Sequence, residues 1–186
     1  MASGAIVVGN PKAASRTLTV AREVMRQLGG CLGTEPARTT VEPLEVDLAG
    51  HAGSVFDWGD PVLQALTAEV AQCRLLVAAS PTYKATYTGL LKAFFDRYGN
   101  DGLRGVVAVP VMVGAAPVHT LAPEVYLRPL LVELGATVPS RALYVLEPDI
   151  PRLAEVVAKW AATARPLVSA ALAGGKPPLA AGTSGR

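Results

Sequence analysis

The sequence predicts an α/β fold: a doubly wound sheet of five parallel strands with helices on both faces. Two observations predict it. Short apolar runs alternate along the chain with segments of helical periodicity. Those runs are apolar at nearly every position, as strands buried on both faces are. The 186 residues, 51% of them hydrophobic, suffice for one such domain, which buries roughly 70% of the surface its unfolded chain exposes.

Residues 5–8, Ala-Ile-Val-Val, read as the first strand, ended by Gly9-Asn10-Pro11. Leu18, Ala21, Val24, Met25 and Leu28 then recur at helical spacing over residues 16–28, with Ser15 as N-cap and Gly29-Gly30 as stop. Residues 44–48 alternate and predict a second strand, followed by a loop over 49–59. Asp60-Pro61 reads as an N-cap with proline in the first helical position, opening a helix to about Cys73. Residues 75–79 form a third strand, closed by Ser80-Pro81. Residues 88–98 read as a helix whose apolar face, Leu90, Leu91, Phe94 and Phe95, is wider than one sheet contact needs. That face is expected to form an interface between copies of the chain.

Residues 106–113 are the most hydrophobic strand. Residues 120–134 have helical periodicity, with Pro123 in the first turn and Pro129 placed to kink the helix or remove a hydrogen bond. A last strand over 141–146 precedes a final amphipathic helix over 151–172 that contains Pro166. From Ala173 the chain turns Gly/Pro/Ala/Ser-rich, so a domain over 1–172 and a disordered tail over 173–186 are expected. At this length two doubly wound arrangements satisfy the pattern: strand order 2-1-3-4-5, or a truncated Rossmann unit.

Composition narrows the function. Lys+Arg number 17 and Asp+Glu 15, a net charge of +2, which lacks the basic excess of a nucleic-acid module. No nucleic-acid partner is expected. Cys31 and Cys73 lie too far apart for a CxxC motif or a cysteine zinc site of ordinary spacing, so no metal is expected. The longest apolar stretch, 106–118, is broken by Pro110, Gly114 and Pro117. It is shorter than the ~20 residues a span needs, so no membrane partner is expected. Few cysteines and no signal peptide point to a cytoplasmic protein.

In an open parallel sheet, ligands bind beyond the carboxyl ends of the strands. The loops after strands one, three and four therefore carry the functional reading. The first, Gly9 to Thr17, combines a helix N-terminus with the hydroxyls of Ser15 and Thr17 and the charges of Lys12 and Arg16. Those groups suit a phosphomonoester. Neither GxGxxG nor GxxxxGK[ST] is present, which points to a mononucleotide. In the second, Pro81 fixes the backbone direction. Thr82 and the amides after it can address the edge of a flat heterocycle, Tyr83 can pack beside it, and Gly89 permits close approach. The third, Gly114-Ala115-Ala116-Pro117-Val118-His119, leaves room for a planar ring against the backbone. Each loop by itself also has a plain structural reading: a capped helix with a solvated arginine, an ordinary turn flanked by tyrosines, a capping histidine.

Together the three segments resemble the NADPH-dependent FMN reductase family. Gly9-Asn10-Pro11 through Ser15-Arg16-Thr17 is similar to that family's G-[SN]-P-x-x-x-S-R-T loop. Ser80-Pro81-Thr82-Tyr83-Lys84-Ala85-Thr86-Tyr87-Thr88-Gly89-Leu90-Leu91-Lys92 resembles its [ST]-P-x-Y-x-x-x-[YF]-[ST]-G-x-L-K segment. The resemblance runs in order over roughly residues 4–170 and is nearest to the reductases that supply reduced flavin to alkanesulfonate-type monooxygenases. It departs at Lys12, Ala13 and Ala14, where serine-rich variants are common, and at Ala115-Ala116-Pro117, where that subgroup tends to have Gly-Gly-Thr.

The resemblance implies a flavodoxin-like fold, order 2-1-3-4-5, FMN, and NADPH or NADH as hydride donor. It implies that Ser15, Arg16 and Thr17 hold the FMN phosphate. Pro81, Thr82, Tyr83 and Lys84 would line the isoalloxazine, with Gly114, Ala115 and Ala116 approaching from the third loop. It further implies a homodimer or homotetramer, and a flavin-dependent monooxygenase as recipient of reduced FMN. Some members carry an extra residue that widens the fourth helix into a π-bulge and changes flavin retention; Pro123 and Pro129 fall in that helix here.

The expected reaction is hydride transfer from nicotinamide C4 to flavin N5, which the cofactor itself performs, so no catalytic acid or base is assigned. The alternative enzyme reading is a quinone or azo reductase with FMN as a bound prosthetic group. A flavodoxin-type electron carrier is disfavoured by the +2 charge, since carriers dock through acidic surfaces. An idle α/β binding domain would neither bind flavin nor oxidise reduced nicotinamide.

Overall fold

The inner strands alternate their side chains between two cores although nearly every residue in them is apolar. In β1 (Gly4–Val8), Ala5 and Val7 join one core, and Ile6 and Val8 the other. The computed structural model describes residues 3–33 and 42–174. β2 (Leu44–Asp47), β3 (Leu75–Pro81), β4 (Val107–Gly114) and β5 (Leu143–Leu146) complete a parallel sheet in the order β2-β1-β3-β4-β5. Of the two arrangements the sequence allowed, this is the flavodoxin-like one.

One face is covered by α1 (Arg16–Leu28) and α5 (Leu153–Ala173), through Leu18, Val24 and Leu28 and through Val157 and Val168. The other is covered by α2 (Pro61–Gln72), α3 (Gly89–Phe95) and α4 (Arg128–Glu133), through Leu63, Val70, Leu91, Phe94, Phe95 and Leu131. Pro166 lies inside α5 on its exposed side, where a carbonyl that loses its helical partner faces water. Ala173, where the disordered tail was expected to start, closes α5; residues 175–186 of that expected tail lie outside the described residues.

Three expectations are corrected. β3 runs on through Ser80 to Pro81, which pairs with Val113. The α3 helix is only seven residues long, and Leu91, Phe94 and Phe95 are fully buried in their own chain's core. Burying each gains about 2 kcal/mol, so this face is spent and cannot be the interface between copies. The segment expected as one helix over 120–134 is a π-helix (Pro123–Leu127) that runs into α4, and a separate 3-10 turn (Pro117–His119) precedes it. Pro129 has no amide to give to Val125, and its ring would press on that carbonyl in an α-helix. Widening the preceding turn, where the Arg128 amide donates to Pro123 O five residues back, relieves both faults.

Glu124 and Arg128 anchor this widened segment. Their side chains form a bidentate pair, Arg128 donates to the carbonyls of Val138 and Ser140, and the Ala142 amide donates to Glu124 Oε1 at 2.7 Å.

Candidate functional site

The strands end so that the predicted loops leave side by side. Val8 pairs with Asp47 and Ala79, Pro81 with Val113, and Gly114 with Leu146. Loops 9–15, 82–88 and 115–122 therefore share the carboxyl edge of the sheet.

The first loop is built around the N-terminus of α1. Ser15 is buried and caps the helix, its Oγ accepting from the Leu18 amide at 3.3 Å. The amides of Arg16 and Thr17 find no acceptor among the described residues, and the first turn holds no acidic side chain. Thr17 is buried and its hydroxyl accepts from Asn10 Nδ2 at 3.1 Å. Asp47, at the end of β2, accepts from the Ala14 amide at 3.1 Å and holds Ala14 at φ 48°. The Arg16 side chain is exposed and reaches Glu147, beyond β5, at 3.3 Å. A helix N-terminus with two open amides is suited to an oxyanion.

The second loop is a hairpin turn. Tyr83 and Thr86 exchange backbone bonds of 2.8 and 3.2 Å, and Lys84 and Ala85 between them have φ 51° and φ 70°. This is the left-handed pair of a type I′ turn, normally given to Asn-Gly. Ala14, Lys84 and Ala85 are three of the four non-glycine residues with positive φ among the described residues. Such strain gathers at functional loops. Tyr83 is half exposed, and burial pushes the Tyr87 phenol up, so it stays protonated.

Between the loops stands Thr88, which the sequence reading passed over. It caps α3, accepting from the Leu91 amide at 3.1 Å, and its hydroxyl donates to Gly9 O at 2.5 Å. Its own amide donates to the Ser80 hydroxyl at 3.0 Å. Gly9 is fitted to the same spot: a Cβ there would lie 2.3 Å from Leu91 Cβ. Gly89, expected to permit close approach, has nothing within 4 Å of such a Cβ. At this contact the tight glycine is Gly9 and not Gly89.

Pro81 ends β3, and the Thr82 amide, one residue on, donates to Val113 O at 2.7 Å. Thr82 Oγ1 is buried and has no partner. The third loop meets it at Gly114, where a Cβ would lie 3.0 Å from Thr82 Oγ1 and 2.1 Å from the Tyr144 hydroxyl. The side of Gly114 where a Cβ would stand is occupied by the Tyr144 hydroxyl of β5. Ala115 is exposed and Ala116 half-buried. Lys84 is exposed at its turn, and His119 ends the 3-10 turn of the third loop with its amide on Ala116 O.

The parallel 2-1-3-4-5 sheet, with a helix N-terminus and two strained or crowded loops on its carboxyl edge, defines the class: a flavodoxin-like nucleotide-binding protein. Residues 3–149 match the family model of the NADPH-dependent FMN reductases. The chain belongs to that family of oxidoreductases, and FMN and a reduced nicotinamide are its cofactors. It is 30% identical over 130 residues to an FMN reductase (NADPH) of Escherichia coli strain K12, covering 70% of this chain and 65% of that one. It is 31% identical over 139 residues to the NADH-dependent FMN reductase SfnF of Pseudomonas putida, covering 75% and 74%. Among solved structures, an oxidoreductase of Corynebacterium diphtheriae superposes with a TM-score of 0.72 at 21% identity, over 94% of this chain and 99% of the other. The apo form of NADH:FMN oxidoreductase EMOB gives 0.68 at 24%, over 86% and 88%. These two likenesses show the fold.

Proposed function

We propose that this chain oxidises NADPH or NADH and reduces FMN, and that the three loops at the carboxyl edge are its flavin site. The observation that carries the reading is a set of polar groups left open at that edge: the amides of Arg16 and Thr17, and the buried hydroxyl of Thr82. An isolated buried hydroxyl without a partner costs free energy, which a ligand would recover.

Ser15, Arg16 and Thr17 are the phosphate end. The amides and helix dipole meet the dianion, and Arg16 adds charge once it leaves Glu147. Pro81, Thr82, Tyr83 and Lys84 are the ring end, with Gly114, Ala115 and Ala116 across from them. Thr82 Oγ1 can hydrogen-bond the polar edge of the ring, and half-exposed Tyr83 gives an aromatic wall that shields it from water. Bound FMN supplies the chemistry, accepting hydride from the nicotinamide. The protein holds the two rings together, and no side chain is required as acid or base.

Delivery of reduced FMN to a flavin-dependent monooxygenase fits the chain's resemblance to the reductases of alkanesulfonate-type systems, and relatives named SfnF and SfnE are NADH-dependent FMN reductases. Self-association as a dimer or tetramer fits the exposed side chains of Val118, Leu121, Val125 and Tyr126, on the third loop and π-helix. No helix among the described residues is long and apolar enough to cross a membrane. A cytoplasmic location fits a chain with only two cysteines.

Titration of FMN and riboflavin against the protein, read by flavin fluorescence, tests the site. FMN should bind at least tenfold more tightly, roughly the value of a charge-assisted phosphate contact. Equal binding would overturn the phosphate assignment. Flavin that stays on the protein through gel filtration would make FMN a prosthetic group instead of a substrate.

A further inference from the structure

We infer that Tyr144 is a positioning residue that fixes the flavin-facing loop after β4; the inference rests on the FMN reading above. Tyr144 sits in β5 opposite Met112 of β4. Strand alternation puts it on the same face of the sheet as Met112 and Gly114, and its ring reaches diagonally to Gly114. A Cβ on Gly114 would lie 2.1 Å from the hydroxyl oxygen and 2.9 Å from Cζ. The glycine is what admits the phenol. From that place the hydroxyl donates to Ala116 O at 3.1 Å.

One phenol thus ties the outgoing loop back to the sheet, two residues beyond the end of β4. It does so beside Thr82 Oγ1, which lies 3.0 Å from the same Cβ position and has no partner of its own. With Ala116 O held, Ala115 and Ala116 keep one conformation next to Thr82 before flavin arrives. Ring binding then costs no loop ordering.

Tyr144→Phe keeps the ring and removes only the hydroxyl. The dissociation constants of FMN and riboflavin, read by fluorescence quenching, should both rise by the same factor, roughly 3- to 10-fold for one lost hydrogen bond. Their ratio, set at the phosphate end, should not move, and Tm should stay within about 2 °C. Gly114→Ala should displace the hydroxyl and give a similar loss, and it should cost less in the Tyr144→Phe background than in the wild type. If Gly114→Ala does not fold, Tyr144→Phe decides alone. Wild-type protein that binds flavin, with Tyr144→Phe binding it equally well, overturns the assignment. So does a loss of affinity that tracks a fall in Tm, or a changed FMN-to-riboflavin ratio. Wild-type protein that binds neither flavin overturns the FMN reading itself.

Discussion

Thr88 Oγ1 donates to the carbonyl of Gly9 at 2.5 Å while accepting from the Leu91 amide at 3.1 Å. One hydroxyl therefore fastens the loop after β1 to the start of α3.

Thr88→Val keeps the shape and removes both bonds. It should cost about 2 kcal/mol and lower Tm by roughly 5 °C. Thr88→Ser should restore most of that loss in thermal denaturation. An unchanged Tm in Thr88→Val would show that the contact does not hold the loops.

Arg16→Ala should weaken FMN binding roughly tenfold or more and leave Tm unchanged, because the side chain is exposed. Glu147→Gln should act the other way. It frees Arg16 from its 3.3 Å partner and removes a negative charge near the phosphate, so FMN should bind more tightly, roughly 2- to 5-fold at low salt. Weaker binding by Glu147→Gln would mean that the ion pair organises the site instead of competing for it.

Replacing Lys84-Ala85 by Asn-Gly should stabilise the protein, since these two residues hold φ 51° and φ 70°. The gain should be about 1–2 kcal/mol, read in urea denaturation. If Lys84 also contacts flavin, KM for FMN should rise in the same variant. A loss of stability would show that the turn carries contacts worth more than its strain.

The Glu124 carboxyl is held below its ordinary value of 4.5, first by the Arg128 hydrogen bond and further by the Ala142 amide, against a cost of burial. A group whose folded pKa is depressed stabilises the protein above its unfolded pKa and loses that contribution as pH falls through the folded value. Glu124→Gln should therefore lower Tm at neutral pH, with the gap to wild type closing below about pH 4.5. A gap that persists into acid would exclude this pair as the cause.

The fold was legible because four of the five strands are apolar at nearly every position and the first helices announce their starts. Ser15 and Asp60 cap α1 and α2 where the sequence places them, and Thr88, read as the first residue of its helix, turns out to be the cap of α3. The order β2-β1-β3-β4-β5 was not legible from alternation, which a Rossmann unit satisfies equally; the family resemblance supplied it. Three parts of the site were hidden. The role of Gly114 depends on Tyr144, thirty residues later in another strand. The left-handed Lys84-Ala85 pair breaks the propensity rule that would have revealed a type I′ turn. Glu147 reaches Arg16 across the sheet's edge, a contact no local pattern encodes. The interface expected on α3 failed for a related reason: a wide apolar stripe on a helix does not say whether core or partner covers it, and here Phe94 and Phe95 fill the core.

The central claim is that this chain passes hydride from a nicotinamide to FMN. The most direct measurement is the loss of NADPH or NADH absorbance on adding purified protein, with and without FMN. The account predicts oxidation that saturates with added FMN and falls strongly in Arg16→Ala at limiting flavin. Purified, folded protein that oxidises neither nucleotide at any FMN concentration would contradict it.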